Sequence, residues 1–290
     1  MSAYLFVRRF VVTLMQIGGL ALVVTASEAV AAPAALSFGV VPHRSPLLTA
    51  RYWNPILDYV EKKTGIVLQL EISKSVAANA VAIENGDYDL TQSMLIFRPK
   101  ALKQNYRVIL RPQGGPIRSQ LVTLESSPLR SLAQLQGQTV AFPARSGMVA
   151  YSVPMDFLLR QNIAVTPLFA GNQEGVLGQL RAGETLAAAV SSQVSEAYSL
   201  REGLKFRMLW ESPPYHDLPI ATHPRIPEAL STQIQNALAE MANDPKGLEV
   251  LKVAASAIGQ KPPYGFIKAI PAEYVSHAEF FRNTLVKEVE

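Results

Sequence analysis

The sequence predicts an α/β protein of two lobes joined by a hinge of two crossing segments. Three observations carry this. Strand-like and helix-like stretches alternate with short turns, which suits a sheet covered by helices on both faces. The rhythm breaks at Ser126-Ser127-Pro128 and then restarts. The chain ends in amphipathic helical stripes with no strands of their own, which must cover a sheet built earlier.

The elements follow in order. Leu36 to Val41 reads as the first strand. Trp53, Ile56, Leu57 and Val60 recur at i, i+3, i+4 and i+7, and Thr64-Gly65 ends that helix. Ile66, Leu68, Leu70 and Ile72 alternate with Val67, Gln69 and Glu71 as a strand with one more buried face does. Val76, Ala80 and Ile83 mark a second helix capped by Asn85-Gly86, and Tyr88 to Thr91 the next strand. Arg107 to Leu110 and Gln120 to Leu124 complete a first lobe. The second rhythm runs from Thr139–Phe142 through a helix near Val149 to Gln161, a strand at Leu168-Phe169, a helix around Val176–Leu180, and strands at Leu186–Val190 and Phe206–Trp210. Beyond Ser212-Pro213-Pro214-Tyr215, one stripe runs through Leu230, Ile234, Ala237, Leu238 and Met241 and another through Tyr274, Ala278, Phe281 and Leu285. The expected division is residues 32–125 with 222–290 as the first lobe and 126–221 as an inserted second. The crossings fall near 124–130 and 210–222, and two crossings make a hinge.

Residues 1–31 read as an export signal. Arg8 and Arg9 precede a short apolar run, Phe10 to Val24, and the small-residue stretch Ala29-Val30-Ala31 follows it. The run is shorter than the roughly 20 residues a membrane-crossing helix needs. The expected location is therefore the periplasm, as a soluble monomer. The chain has no cysteine, so a lipid-anchored cysteine, disulfides and thiolate metal sites are excluded. Lysines and arginines number 27 against 23 acids, and no basic block exceeds two residues. A nucleic-acid face needs a clustered basic stripe, so nucleic acid is not an expected partner. The mild positive excess still suits a small acidic ligand held by a few converging groups.

Three segments resemble one known family. They are Phe38-Gly39-Val40-Val41-Pro42-His43-Arg44-Ser45-Pro46 with Trp53 to Val60 and Thr64-Gly65, then Gly86-Asp87-Tyr88-Asp89-Leu90, then Val140 to Leu159 with Arg145-Ser146-Gly147 and Pro154. Together they resemble the phosphonate/phosphate/phosphite-type periplasmic solute-binding proteins of ABC transporters. The resemblance covers nearly all of the chain after the signal. It implies a two-lobed periplasmic binding protein-like fold of the cluster II type and capture of a tetrahedral oxyanion in the interlobe cleft. The family's anion turn usually carries Ser-Thr-Ser-Gly where this chain has Ala144-Arg145-Ser146-Gly147. A tyrosine common early in the family's second helix falls at Val76, and a second-lobe histidine at Gln173.

The candidate ligand-binding residues lie at strand-to-helix turns. Arg145, Ser146 and Gly147 sit where a strand has ended and a helix begins, so free amides and the positive helix end favour an anion there. Gly147 lets the backbone approach, and Arg145 has the forked guanidinium that binds two oxygens. As an alternative, Ser146 is an ordinary N-cap and Arg145 a solvated charge. Arg44 and Ser45 follow the first strand, at the edge where open α/β sheets place ligands. Ser93 and Met94 hold the same place after the Asp89-Leu90 strand. Gln173 precedes a second-lobe helix and Ser191 follows the Leu186–Val190 strand, both facing the expected cleft, and Tyr215 sits in the return crossing, where it could stack on a ligand or simply pack. His216, Asp217 and His223 fit no familiar zinc spacing. No metal or cofactor is expected, and no nucleophile–base spacing recommends an enzyme.

The expected function is capture of a small phosphate- or phosphonate-like oxyanion for an ABC permease. The alternative is a ligand sensor that signals to a membrane kinase, with an enzyme on the same fold third. The ligand is left open among phosphate, phosphite, phosphonate, sulfonate and carboxylate.

Overall fold

A computed structural model describes residues 35–287, so the export signal expected at 1–31 lies outside the described residues. Strand β1 (Leu36–Val40) leads into helix α1 (Pro46–Thr64). Ser45 caps α1 by accepting the Leu48 amide, Pro46 supplies a preset first turn, and Gly65 ends it at φ 73°, a conformation that suits glycine. The stripe Trp53, Ile56, Leu57 and Val60 is buried as its spacing predicts. Strand β2 (Leu68–Ile72), helix α2 (Val76–Asn85) and strand β3 (Leu90–Gln92) follow, then β4 (Arg107–Pro112). Gly39 on β1 is forced by its neighbour, since a Cβ there would lie 2.4 Å from the Tyr88 ring. That ring is fixed in turn by a 2.6 Å hydrogen bond between its hydroxyl and Ser73.

Strand β5 (Ser119–Leu124) pairs with β8 (Ala187–Ser191) and β9 (Phe206–Glu211) rather than with the first four strands. The first passage between sheets therefore lies between Pro112 and Ser119, before the 124–130 expected. Residue alternation reports a strand but not the sheet it joins, and Ser126–Pro128 is a turn within the second half. The second sheet also contains β6 (Thr139–Phe142) and β7 (Thr166–Phe169), in the order β7-β6-β8-β5-β9. Both its faces are covered. Val140, Phe142, Ala187 and Ala189 meet Leu158 of helix α3 (Val153–Arg160). Ala141, Ala188 and Val190 meet Val176, Leu177 and Leu180 of α4 (Gln173–Ala182) and Val194 of α5 (Ser192–Glu202).

The return segment carries two strands where only helices were expected. These are β10 (Ile220–Thr222) and β11 (Phe266–Lys268), and they complete a first sheet of order β11-β4-β10-β3-β1-β2. Each has three residues, too few to show a period. Helices α6 (Glu228–Ala239) and α7 (Pro245–Ala257) cover this sheet, with Ile234, Leu238 and Leu251 joining Phe38, Trp53 and Phe266 in its core. No helix among the described residues is long and apolar enough to cross a membrane.

The two crossings are tied together, since Ile117 and Tyr215 exchange backbone hydrogen bonds of 2.8 Å. A third connection is made by the end of the chain. Helix α8 (Val275–Asn283) lays Phe280 and Phe281 against Met94 from the first half and Met148, Val149 and Val153 from the second. Past α8, Asp156 Oδ1 accepts the Leu285 amide at 2.6 Å and the Thr284 hydroxyl at 3.1 Å. Arg160 donates to Asn283 O at 2.9 Å, and Val286 joins the apolar cluster under α3.

Candidate functional site

The two halves together line a cavity of about 70 Å³. About 10–15 Å³ of such space holds one water, so the cavity accepts a solute of about five heavy atoms. The first half contributes Val41, His43, Val76, Ser93, Met94, Leu95, Asp217 and Leu218. The second contributes Pro143, Gly147, Met148, Val149, Ala150, Gln173, Ser191, Gln193 and Val194, and Ile117 comes from a crossing.

One wall is the start of a helix. After β6 the chain turns through Ala144–Gly147 and enters a wide turn, Met148–Ser152, which continues into α3. The first bond within that turn runs from Ser152 N to Gly147 O at 2.9 Å. The amides of Met148, Val149 and Ala150 precede it, and no side chain caps them. Uncapped amides at a positive helix end favour an anion. Gly147 has an ordinary φ of −75°, and an added Cβ would meet Ala144 O at 3.4 Å, so glycine here is not demanded by backbone strain.

The opposite wall carries the ionisable groups. Burial, and then the adjacent Arg44, push the His43 imidazole down to about 3, so it is neutral at physiological pH. Nδ1 lies 3.1 Å from Val41 O and so carries the proton, which leaves Nε2 to accept from Arg44 Nη1. Burial lowers the Arg44 guanidinium, while Glu174, Tyr52 and Asp217 oppose that shift. Asp217 accepts the Leu218 amide at 2.6 Å and a hydrogen bond from Gln193 across the gap. Burial nevertheless raises its carboxyl.

Five of the residues singled out from sequence line this cavity: Ser93, Met94, Gly147, Gln173 and Ser191. Ser93 Oγ accepts the Leu95 amide at 3.1 Å, and Gln173 Oε1 accepts the Ser191 amide at 2.6 Å. Ser191 caps α5. Arg44 borders an adjoining chamber, described below, while Ser45 is occupied as the cap of α1.

Arg145, Ser146 and Tyr215 lie elsewhere. The Arg145 guanidinium sits over the Phe169 ring at 4.9 Å and donates to Tyr151 at 3.3 Å. Arg145 and Ser146 line a separate groove with Lys100 and Val286. The Tyr215 ring packs on His277 at 5.3 Å between centroids. The His216, Asp217 and His223 set is dispersed, because His223 packs on Tyr106 and Asp217 faces the cavity. No group of three or more potential metal ligands occurs among the described residues.

His43, Asp217, Gln193 and the Met148–Ala150 amides are cavity-facing groups that sequence reasoning did not single out as ligand contacts. His43 had a signal in its position beside Arg44, and Asp217 in its place between the crossing prolines.

Residues 38–271 match the family model described as "ABC transporter, phosphonate, periplasmic substrate-binding protein". No curated protein sequence matches the chain. Among solved structures, PhnD1 from Prochlorococcus marinus in complex with methylphosphonate superposes with a TM-score of 0.72 at 17% identity, over 86% of this chain and 97% of that one. A binding protein component of an ABC phosphonate transporter from Pseudomonas aeruginosa gives a TM-score of 0.72 at 12% identity, over 85% of each chain. XAC2383 from Xanthomonas citri bound to ATP gives 0.64 at 17% identity, over 87% of this chain and 99% of that one. Identities this low establish a shared fold, the two-lobed α/β architecture of periplasmic binding proteins.

Proposed function

The chain belongs to the phosphonate-binding family of periplasmic ABC-transporter substrate-binding proteins, and we propose that it captures a phosphorus oxyanion between its halves for delivery to a membrane permease. The observation that carries this reading is the uncapped amide row of Met148–Ala150 lining a cavity of about 70 Å³. A tetrahedral oxyanion has about five heavy atoms, which suits that volume, and its oxygens accept from backbone amides without a bound cation.

Ser93, Gly147, Gln173 and Ser191 form the remaining polar shell of the proposed site. Arg145 is outside it, because its guanidinium is engaged by Phe169 and Tyr151. Asp217 accompanies an anion without repulsion when it is protonated, which its raised carboxyl supports. Export by residues 1–31 would place the mature protein in the periplasm, where such a receptor works as a monomer beside its permease. Family membership favours delivery to a permease over signalling to a membrane kinase, and binding over catalysis.

The test is a thermal-shift screen and calorimetric titration of the purified protein with phosphate, phosphite, methylphosphonate, methanesulfonate and acetate. A ligand at 100 times its Kd stabilises by about 2.7 kcal/mol. The expected result is stabilisation by at least one phosphorus oxyanion, weakened about tenfold or more in Gly147→Val with the fold retained. No response to any phosphorus oxyanion refutes the reading.

A further inference from the structure

The cavity is the inner of two chambers. His43, Gln193, Asp217 and Leu218 line both it and an adjoining outer chamber of about 250 Å³, whose other residues include Arg44, Tyr52 and Gln92. The outer chamber is therefore several times larger than the inner and shares a wall with it.

Two polar atoms of its lining residues are unmatched. Arg44 Nε and Gln92 Oε1 are both buried without a hydrogen-bond partner, and Gln92 is 6% exposed. A buried donor or acceptor left unpaired is destabilising, so such atoms mark where a partner belongs. The other ionisable groups nearby are already engaged. Lys261 pairs with Glu196 at 2.7 Å, and Glu174 is taken by Arg201. Asp217 has the Leu218 amide and Gln193. Neutral His43 holds one guanidinium nitrogen of Arg44 and leaves the Nε edge without an acceptor.

We infer that the ligand is a phosphonate whose substituent ends in a carboxylate, with the tetrahedral head in the inner chamber and the carboxylate on the Nε edge of Arg44 in the outer one. A planar carboxylate matches two parallel N–H groups of a guanidinium better than any neutral acceptor does. Tyr52 borders the same chamber and adds a hydroxyl. A hydroxyl on the linking carbon would supply the donor that Gln92 Oε1 lacks. An ammonium-bearing substituent would have to compete for Asp217, whose carboxyl already has two donors. This inference rests on the oxyanion reading of the inner chamber.

Calorimetric titration of the purified protein with methylphosphonate, propylphosphonate, 3-phosphonopropionate and 2-aminoethylphosphonate separates the two claims. The expected result is that 3-phosphonopropionate binds about tenfold or more tighter than propylphosphonate. Arg44→Gln should reduce that ratio to about one. A wild-type protein that shows no carboxylate preference, or that prefers the aminoethyl compound, overturns the inference while leaving the oxyanion reading standing. So does a preference that survives in Arg44→Gln. The wild-type series decides the matter even if the variant misfolds. Failure of all four ligands to bind overturns both.

Discussion

His277 should make the protein acid-sensitive well above the carboxylate range. It is fully buried on α8, with Nε2 3.1 Å from His216 O and its ring against Tyr274, Phe97 and Tyr215. Burial lowers its pKa from 6.5 to about 4, an effect only partly opposed by the bond to His216 O. The folded state therefore prefers the neutral ring. Its contribution to stability is fully present above 6.5, the unfolded value, and is lost as pH falls through about 4. A difference of about 2.5 pKa units corresponds to about 3 kcal/mol lost by pH 4. Urea denaturation at fixed pH between 7 and 4 measures this directly. His277→Gln keeps a neutral donor for His216 O but does not titrate, so it should be less stable at pH 7 and flatter between 6.5 and 4.5. His43 and His223, also depressed, contribute to the slope that remains. A variant whose stability falls with pH as steeply as wild type would refute the assignment to His277.

Two further outcomes follow from the packing. Gly39→Ala should cost about 1–3 kcal/mol in urea denaturation, because its Cβ would lie 2.4 Å from a Tyr88 ring that Ser73 holds in place; an unchanged midpoint would show that the ring yields. Asp156→Ala should cost about 1–3 kcal/mol by releasing Thr284 and Leu285, and carboxypeptidase should then digest past Val286 faster than in wild type. Equal digestion rates would mean that the tail is held by apolar contacts alone.

Much of the fold was legible because its signals repeat. Trp53, Ile56, Leu57 and Val60 form a helical stripe, and Gly65, Gly86 and Gly183 end helices in the left-handed conformation. What was missed lacks repetition or depends on partners far along the chain. Helix α5 begins at Ser192 and mixes Ser and Glu with its buried Val194, Ala197 and Tyr198, so its sequence shows no clear apolar stripe. Strands β10 and β11 have three residues each. For β5, the alternation was clear, but nothing local records that Leu121 faces Ala189 rather than the first sheet. At the site, the strand–turn–helix context of 144–150 was legible, and the direction of the Arg145 side chain was not. That direction is set by Phe169, about 24 residues downstream in sequence. Asp217 belongs to no periodic pattern and reaches the cavity only because the crossing segment passes it.

The discontinuous first sheet sets an order of assembly. All five strands of the second sheet come from one continuous stretch, residues 119–211, so that sheet needs no strand from either end of the chain. The first sheet begins at Leu36, yet β4 reaches β3 only through β10, and its edge strand β11 comes at Phe266. Pairings this distant in sequence close slowly. On a chain that emerges N-terminus first, the half that starts earliest is thus completed last. The proposed binding cavity, which needs Asp217 from the return crossing and both halves in place, forms only after most of the polypeptide has emerged.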